Sequence, residues 1–310
     1  MRLPLIEFEI EDVNGVLYEL GPDTRHALEI SGLGMPPIRH WTVRSPFQHG
    51  ATHWGYAIQP RVVNLVLASK GCGRSGLYGA RISNIAMLSP VISPLILRVK
   101  ISGGYEVYEL REGWYQSGYE LSSTDQGQDV DGSWNQVGGV QIEFEDPIWK
   151  WTSSPLDVGE TRDGSGRTCK STSTFTLTPQ LVLPFTFPFV LGTTVGTASL
   201  ACTNDGSWAV APYVTVTGPT DDWILTNTTT GTAIYWNGYP ILAGTSVILD
   251  LKARTVVDGT GNDLADYVSG DLATFMLEPG ANALTFWSGG GAINAVTTLS
   301  VCWFLELLGI

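Results

Sequence analysis

The chain has 310 residues, with 30 Asp or Glu against 17 Lys or Arg and a formal net charge of −13. This acidity disfavours nucleic-acid binding, which needs clustered Lys and Arg to neutralise phosphates, so we expect no tight complex with DNA or RNA. Charged residues make up only 15% of the chain and 36 residues are Gly. That composition suits β-structure, or a subunit whose surfaces neighbours cover, and the length allows two domains.

Targeting signals and cysteines give further expectations. The opening MRLPLIEFEIEDVNG carries acids where a signal peptide is apolar, and no apolar run reaches about 18 residues. We therefore expect neither a secretion signal nor membrane insertion. The four cysteines are scattered without C-x-x-C spacing, which predicts reduced structural thiols in a protein made in a cytoplasm. They are Cys72, Cys169, Cys202 and Cys302.

The sequence pattern of the N-terminal half predicts short strands. Near the N terminus, apolar residues alternate with Glu7, Glu9 and Glu11, which predicts a half-buried strand with one acidic face. One helix is predicted, over Ser75–Leu88, because its apolar residues recur at intervals of four, three and three and form a single stripe. The stripe consists of Tyr78, Ile82, Ile85 and Leu88.

The C-terminal half also reads as strands, separated by turn dipeptides. Asn237-Gly238 is the sharpest of these signals, because a type I′ turn needs positive φ at both central residues. Several short strands at near-regular spacing predict a β-sandwich. Between the halves, residues 156–172 are rich in Ser, Thr and Gly and are predicted to be a linker between domains at 1–155 and 173–310.

The order of these segments resembles the siphophage distal tail protein family. In the C-terminal half the resemblance rests on four pieces: Val214-x-Val216-x-Gly218-Pro219, Ile224-x-x-Asn227-x-Thr229-Thr230-Gly231, Phe275-x-Leu277-x-Pro279-Gly280-x-Asn282 and Leu308-Gly309-Ile310. In the N-terminal half it rests on three: Pro60-Arg61-Val62-Val63-Asn64-Leu65, Leu97-Arg98-Val99 and Phe144-x-Asp146-Pro147-x-Trp149.

The resemblance implies a mainly β protein. Its N-terminal domain would be β-barrel-like with one helix and would form a homohexameric ring, and its C-terminal domain would be a galectin-like β-sandwich. The ring would join the tail tube protein to the tail-tip hub protein and let DNA pass, with the tape measure and receptor-binding proteins as further possible partners. The location implied is the tail tip of the virion, after assembly in the host cytoplasm. The expected role is structural, without enzymatic activity or a cofactor.

Two sets of residues are candidate sites. The row Glu7, Glu9 and Glu11 is a candidate for the lumen of the ring, although an ordinary solvated strand face also explains it. The alternative function is a carbohydrate-binding module for host-surface adhesion, because aromatic side chains can stack on sugar rings. The C-terminal half has no His and one Arg, so the galectin resemblance implies a fold and not lectin activity. The aromatic candidates are Trp223, Trp236, Tyr239 and Trp287.

Three further motifs favour plain structural explanations. Gly71-x-Gly73-x-x-Gly76 lies between a predicted strand and a predicted helix, but without repeated βαβ units it favours a strand-to-helix turn over a dinucleotide site. His49-x-x-x-His53 lies in a segment with glycines and is predicted to be a surface loop and not a metal site. The acidic run 125–132 does not match the ligand spacing of a calcium loop.

Overall fold

A computed structural model describes residues 6–21, 27–47, 49–101, 106–119, 127–128, 133–172, 196–289 and 297–310. The chain forms two compact units, the first made of Met1–Ser154 with Leu307–Ile310 and the second of Pro155–Glu306. Strands dominate both, and one α-helix is present in the described part, which confirms the predicted mainly β class. No helix among these residues has the length and apolar character needed to cross a membrane.

The first unit is built on one large antiparallel sheet with the strand order β2-β1-β7-β8-β10-β6-β3, to which β9 adds at β10 and β11 adds at β8. Strands β4 and β5 pair only with each other and form a separate hairpin. The elements are β1 Glu7–Glu11, β2 Leu17–Leu20, β3 Ala27–Ser31, β4 Ile38–Val43, β5 Thr52–Ile58, β6 Arg61–Cys72, α1 Gly73–Met87, β7 Leu95–Ile101, β8 Glu106–Gly118, β9 Gly127–Gln128, β10 Ser133–Phe144 and β11 Trp149–Trp151.

Helix α1 presents a different face to the core from the one predicted. Its buried residues are Leu77, Asn84 and Met87. Asn84 contributes a polar contact there, because its amide donates to the hydroxyl of Tyr119 at 2.8 Å. Because one of the buried residues is Asn, the buried face could not be recognised from the periodicity of apolar residues. Most of the predicted stripe therefore points to solvent, with Tyr78, Ile82 and Ile85 at 48, 68 and 53% exposure.

The last residues of the chain return to the first unit and meet a buried cation. Arg61, at the start of β6, is only 1% exposed. Its guanidinium donates to four backbone carbonyl oxygens, and burial lowers its pKa to about 10. The acceptors are the carbonyls of Gly32, Gly34, Pro147 and Leu308.

The second unit contains two antiparallel sheets, with orders β12-β13-β22-β15-β18-β19 and β14-β21-β16-β17-β20. Fully buried and partly buried residues alternate along β15, β16 and β18, as expected of strands with one face on a core. The strands are β12 Glu160–Arg162, β13 Thr168–Thr172, β14 Gly196–Asn204, β15 Tyr213–Thr217, β16 Asp222–Asn227, β17 Thr232–Trp236, β18 Ser246–Asp250, β19 Thr255–Asp258, β20 Val268–Gly270, β21 Gly280–Gly289 and β22 Thr298–Trp303. The short strand β23 Leu305–Leu307 belongs to the large sheet of the first unit.

The structure differs from the expected linker over residues 156–172. This segment contains β12 and β13, and β13 pairs with β22 inside the six-stranded sheet. Its Ser, Thr and Gly form the hairpin between these strands, where the Asp163 carboxylate accepts the backbone N–H groups of Ser165 and Arg167, both at 2.9 Å. A polar composition is shared by linkers and by edge hairpins, so composition could not separate them.

Two local predictions for the second unit are corrected. Cys169 on β13 lies directly opposite Cys302 on β22, and the two form a disulfide, so these thiols are not reduced as expected. Asn237-Gly238 does not make a two-residue hairpin, because β17 and β18 are separated by residues 237–245. Gly238 has a φ of 76°, and its N–H donates to the carboxylate of Asp222 at 2.9 Å. This loop is therefore held by contacts that are distant in sequence.

Candidate interaction surfaces

The acidic row on β1 lies on a sheet face where cations from the neighbouring strand meet it. In the register of β1 with β7, Glu9 is opposite Arg98 and Glu7 is opposite Lys100. The Lys100 ammonium contacts the Glu9 carboxylate at 2.5 Å, and Arg98 forms an ion pair with Glu11. Two of the three candidate lumen residues are thus engaged in salt bridges.

The pairing extends across the sheet to β8. Arg98 also contacts the Glu109 carboxylate at 2.9 Å, and Arg111 reaches its other oxygen at 2.8 Å. With Glu7, four carboxylates and three cations therefore share one face, which has an excess of one negative charge and is less acidic than the outer face predicted for β1. The sequence shows the row on β1 but not which strands flank it, because β7 lies about 90 residues further along the chain.

Exposed apolar side chains are concentrated in the first unit. Among the described residues, 23 large apolar side chains are exposed, and 18 of them belong to the first unit. Single exposed apolar residues are ordinary, but clusters mark interaction sites. The hairpin of β4 and β5 and the outer face of α1 carry eight of them: Trp41, Val43, Phe47, Trp54, Tyr56, Tyr78, Ile82 and Ile85.

The same elements lie in a stretch without acids. Residues 30–105 contain no Asp or Glu, but they hold eight of the 17 Lys and Arg and three of the four His. Some of these cations are internal, since Arg61 is buried and Arg98 and Lys100 are paired. Others stack on aromatic rings, as Arg81 does on the exposed Tyr78 at 5.2 Å and Arg74 on the half-buried Trp134 at 5.0 Å. The hairpin and helix therefore combine apolar and basic character, which a scan of the sequence for acid-free stretches would have revealed.

Two of the four aromatic candidates for sugar binding are inaccessible. Trp223 and Trp236 are 0% exposed and stack on each other in the core of the second unit, with ring centroids 5.8 Å apart. The Trp236 indole N–H donates to the carbonyl of Tyr239 at 2.8 Å. Tyr239 and Trp287 are half-buried. Trp223 and Trp236 therefore serve as core, and a sugar has no face of either ring to stack on.

The remaining motifs take structural roles or lie elsewhere. Gly71 ends β6 against the start of α1, where a Cβ on it would lie 2.2 Å from the Gly76 carbonyl carbon, so the glycines allow the strand-to-helix turn. His49 lies in a turn, as the predicted surface loop requires, whereas His53 lies on strand β5 and not in a loop. Of the acidic run 125–132, all but Gly127 and Gln128 lies outside the described residues.

Comparison with known proteins finds a matching family for the second unit. Residues 205–300 match the family model described as the Siphovirus-type tail component, C-terminal domain. No curated protein matches the chain. These findings, with the structural matches below, confirm the predicted resemblance to siphophage distal tail proteins.

One solved structure shows the same fold, and two further matches are weaker. The Dit protein of phage SPP1, whose structure is described as a paradigm of the hub adsorption apparatus in phages that infect Gram-positive hosts, matches with a TM-score of 0.60 and 13% identity over 95% of this chain and 98% of that one. The phage P2 baseplate activated with Ca matches with a TM-score of 0.45 and 10% identity, and the form with Sr with 0.45 and 11%, each over 93% of this chain and 99% of that one.

Proposed function

With the resemblance to siphophage distal tail proteins as the premise, we propose that this chain is a structural subunit of a phage tail tip. Copies of it form a homohexameric ring between the tail tube and the tail-tip hub, and DNA passes through that ring. The observation that carries the proposal is the concentration of exposed apolar side chains on the first unit. A monomer gains nothing from exposing this surface, whereas an assembly buries it.

The charge distribution favours contact between unlike surfaces of neighbouring copies. Of the eight cations in residues 30–105, which contain no acids, Arg61 is buried and Arg98 and Lys100 are paired on the sheet, so five others give this face its basic character, whereas the chain as a whole carries −13. A basic, apolar face on one copy therefore meets an acidic surface on the next. Such head-to-tail contacts close into a ring when the rotation between copies divides a full turn.

The sheet of the first unit supplies a second means of contact. Its terminal strands in the described part are β2 and β3. Each has backbone N–H and C=O groups along one side, and pairing with a neighbouring copy satisfies them and removes the free edge. In this proposal, the tube, the hub and any receptor-binding proteins dock on the finished ring.

The lumen remains assigned to the face with Glu7, Glu9 and Glu11. Because Lys100 and Arg98 compensate Glu9 and Glu11, this face is nearly neutral. A neutral lumen neither traps a duplex by counterion release, as a basic one would, nor repels it strongly. We expect the purified protein to bind duplex DNA with a Kd no tighter than about 10⁻⁴ M at physiological salt. A salt-sensitive micromolar complex in a mobility-shift assay would contradict the conduit role.

A pair of matched substitutions tests which surface assembles. Ile82→Asp places a charge at a position 68% exposed on α1, and Leu242→Asp does the same at a position 65% exposed in the second unit. Because both sites are open, both variants fold. Sedimentation velocity should show weakened association for Ile82→Asp alone. If the two variants and the parent protein associate equally, α1 is not part of the interface. If only Leu242→Asp weakens association, the interface lies on the second unit.

A further inference from the structure

The exposed hairpin of β4 and β5 brings two imidazoles together. His40 on β4 and His53 on β5 place Nδ1 of the first 3.1 Å from Nε2 of the second. Their ring centroids are 5.3 Å apart and their planes are inclined by 60°. Both side chains are exposed to solvent. The pair that forms is thus His40 with His53, and the spacing His49-x-x-x-His53 plays no part in it.

The backbone of the hairpin sets this contact. Thr42 is opposite His53, and the register shifts between Trp41 and Thr42. This irregularity leaves two residues of one strand opposite one of the other and re-aims the side chains beside it. His40 and His53 therefore meet although they are not direct cross-strand partners. Because strands fix both Cα positions, little conformational entropy is lost when a ligand joins the two rings.

We propose that His40 and His53 form a binding site for a divalent transition-metal ion such as Zn²⁺, Ni²⁺ or Cu²⁺. A Zn–N bond is about 2.0–2.1 Å, so two nitrogens on one tetrahedral ion lie about 3.3 Å apart, and about 2.9 Å apart at a right angle. The observed 3.1 Å lies between these values. In the metal-free protein one ring donates its N–H to the other. When an ion binds, that ring changes to its other tautomer, with the proton on its second nitrogen, so that both facing nitrogens offer lone pairs to the metal.

The chemistry of the surroundings defines the class of metal. Imidazole nitrogen suits Zn²⁺, Cu²⁺ and Ni²⁺, whereas Ca²⁺ and Mg²⁺ take oxygen ligands. Residues 30–105 offer no carboxylate, and Arg39 adjoins His40. Without a carboxylate ligand, the affinity for the metal rests on the two imidazole nitrogens. The remaining coordination positions are open to water or to a donor from another molecule. This inference does not depend on the proposed tail function.

The test is metal titration of the tag-free full-length chain by calorimetry with Ni²⁺ and Zn²⁺. A Cys72→Ser background removes the exposed free thiol as a competing ligand. We expect His40→Asn and His53→Asn each to weaken binding at least about tenfold, by analogy with losses at other metal sites. The matched control His49→Asn lies in the turn of the same hairpin and should leave the affinity unchanged.

A spectroscopic measurement counts the ligands independently. Pulsed electron paramagnetic resonance of bound Cu²⁺ should show two coordinated imidazoles in the parent and one in each single variant. Equal affinity in the parent and in His40→Asn, or a loss of binding in His49→Asn as large as in the others, would overturn the site. A Cu²⁺ spectrum with one imidazole in the parent would do the same.

Discussion

The Nη2 atom of Arg61 donates to the backbone carbonyl of Leu308 at 2.8 Å, which joins residues separated by 247 positions. The same guanidinium bonds three other carbonyls and lies 5.7 Å above the ring of Trp149. Burial lowers its pKa to about 10, so it is charged at neutral pH, and the carbonyl dipoles and the Trp149 ring stabilise that charge. It fastens the final residues to the first unit.

Replacement of this residue should be costly. Arg61→Met keeps much of the side-chain volume but leaves four carbonyls without their donor. We expect the first unit to lose about 3 kcal/mol or more of its free energy of unfolding, as when a buried polar partner is removed. Denaturant unfolding measures this loss. The exposed Arg39→Met is the control and should change the free energy by less than about 0.5 kcal/mol. Equal stability of the two variants would contradict this role.

The disulfide between Cys169 and Cys302 should stabilise the second unit. It closes a loop across 133 positions of sequence separation. The chain-entropy argument assigns such a loop about 4–5 kcal/mol at 25 °C, an upper figure. Reduction should therefore lower the denaturation midpoint of the second unit, and Cys72→Ser should not.

Thiol counting checks the same bond. The free thiols are Cys72, which is exposed, and Cys202, which is buried and has a pKa raised to about 12 by desolvation. A thiol reagent should find one reactive group in the native protein and two after denaturation without reductant. Four groups in the denatured protein would show that the disulfide is absent.

The paired charges on the sheet of the first unit should be coupled. Arg98→Met leaves Glu109, whose side chain is 6% exposed, with one partner fewer and removes the partner of Glu11. We expect a loss of about 2–4 kcal/mol, since one partner of a nearly buried pair is removed. Adding Glu109→Gln should cost less in this background than in the parent. The control Arg39→Met removes a cation at an exposed position and should cost less than about 0.5 kcal/mol. Strict additivity of the Arg98 and Glu109 changes would refute the coupling.

The loop after β19 should show a pH-dependent contribution to stability. Hydrogen bonds from the Thr260 hydroxyl and the Asn262 side chain hold the pKa of Asp258 well below its usual range. Since the pKa is depressed in the folded state, the stabilisation is fully present above the unfolded value of about 3.9 and is lost as pH falls below it. NMR titration should place the Asp258 midpoint below that value, and Thr260→Val should raise it. An ordinary midpoint in the parent protein would contradict the loop geometry.

Substitution of Trp236 tests the alternative carbohydrate-binding function. Because its ring is fully buried and stacked on Trp223, Trp236→Ala should destabilise the second unit by about 3–5 kcal/mol. Chemical unfolding measures this loss. Trp287→Ala, at a half-buried position, should cost less. A glycan-array signal of the parent protein that Trp236→Ala abolishes without a change in stability would restore the alternative.

The sequence predicted those features that depend on local pattern. The mainly β class followed from alternating apolar residues and turn dipeptides, and the single helix followed from its period. The buried face of that helix could not be predicted, because the buried Asn84 amide finds its partners, Ser69 and Tyr119, on other parts of the chain. The pairing of Cys169 with Cys302 likewise depends on the register of β13 and β22, which cannot be predicted from the spacing of cysteines in the sequence.

The candidate surfaces, too, could be predicted only in part from the sequence. Periodicity placed Glu7, Glu9 and Glu11 on one face of β1, but their compensation by Arg98 and Lys100 arises from the neighbouring strand. Aromatic content suggested sugar binding by Trp223 and Trp236, whereas only packing shows that both are core. The absence of acids from residues 30–105 was available in the sequence and gains meaning once the hairpin and helix are known to be exposed.

Native mass spectrometry of the full-length chain at micromolar concentration tests the central claim, ring formation by copies of this subunit, most directly. The account predicts a dominant species of six chains near neutral pH, and dissociation towards smaller species for Ile82→Asp but not for Leu242→Asp. A monomer at every concentration, with the fold intact by circular dichroism, would contradict it.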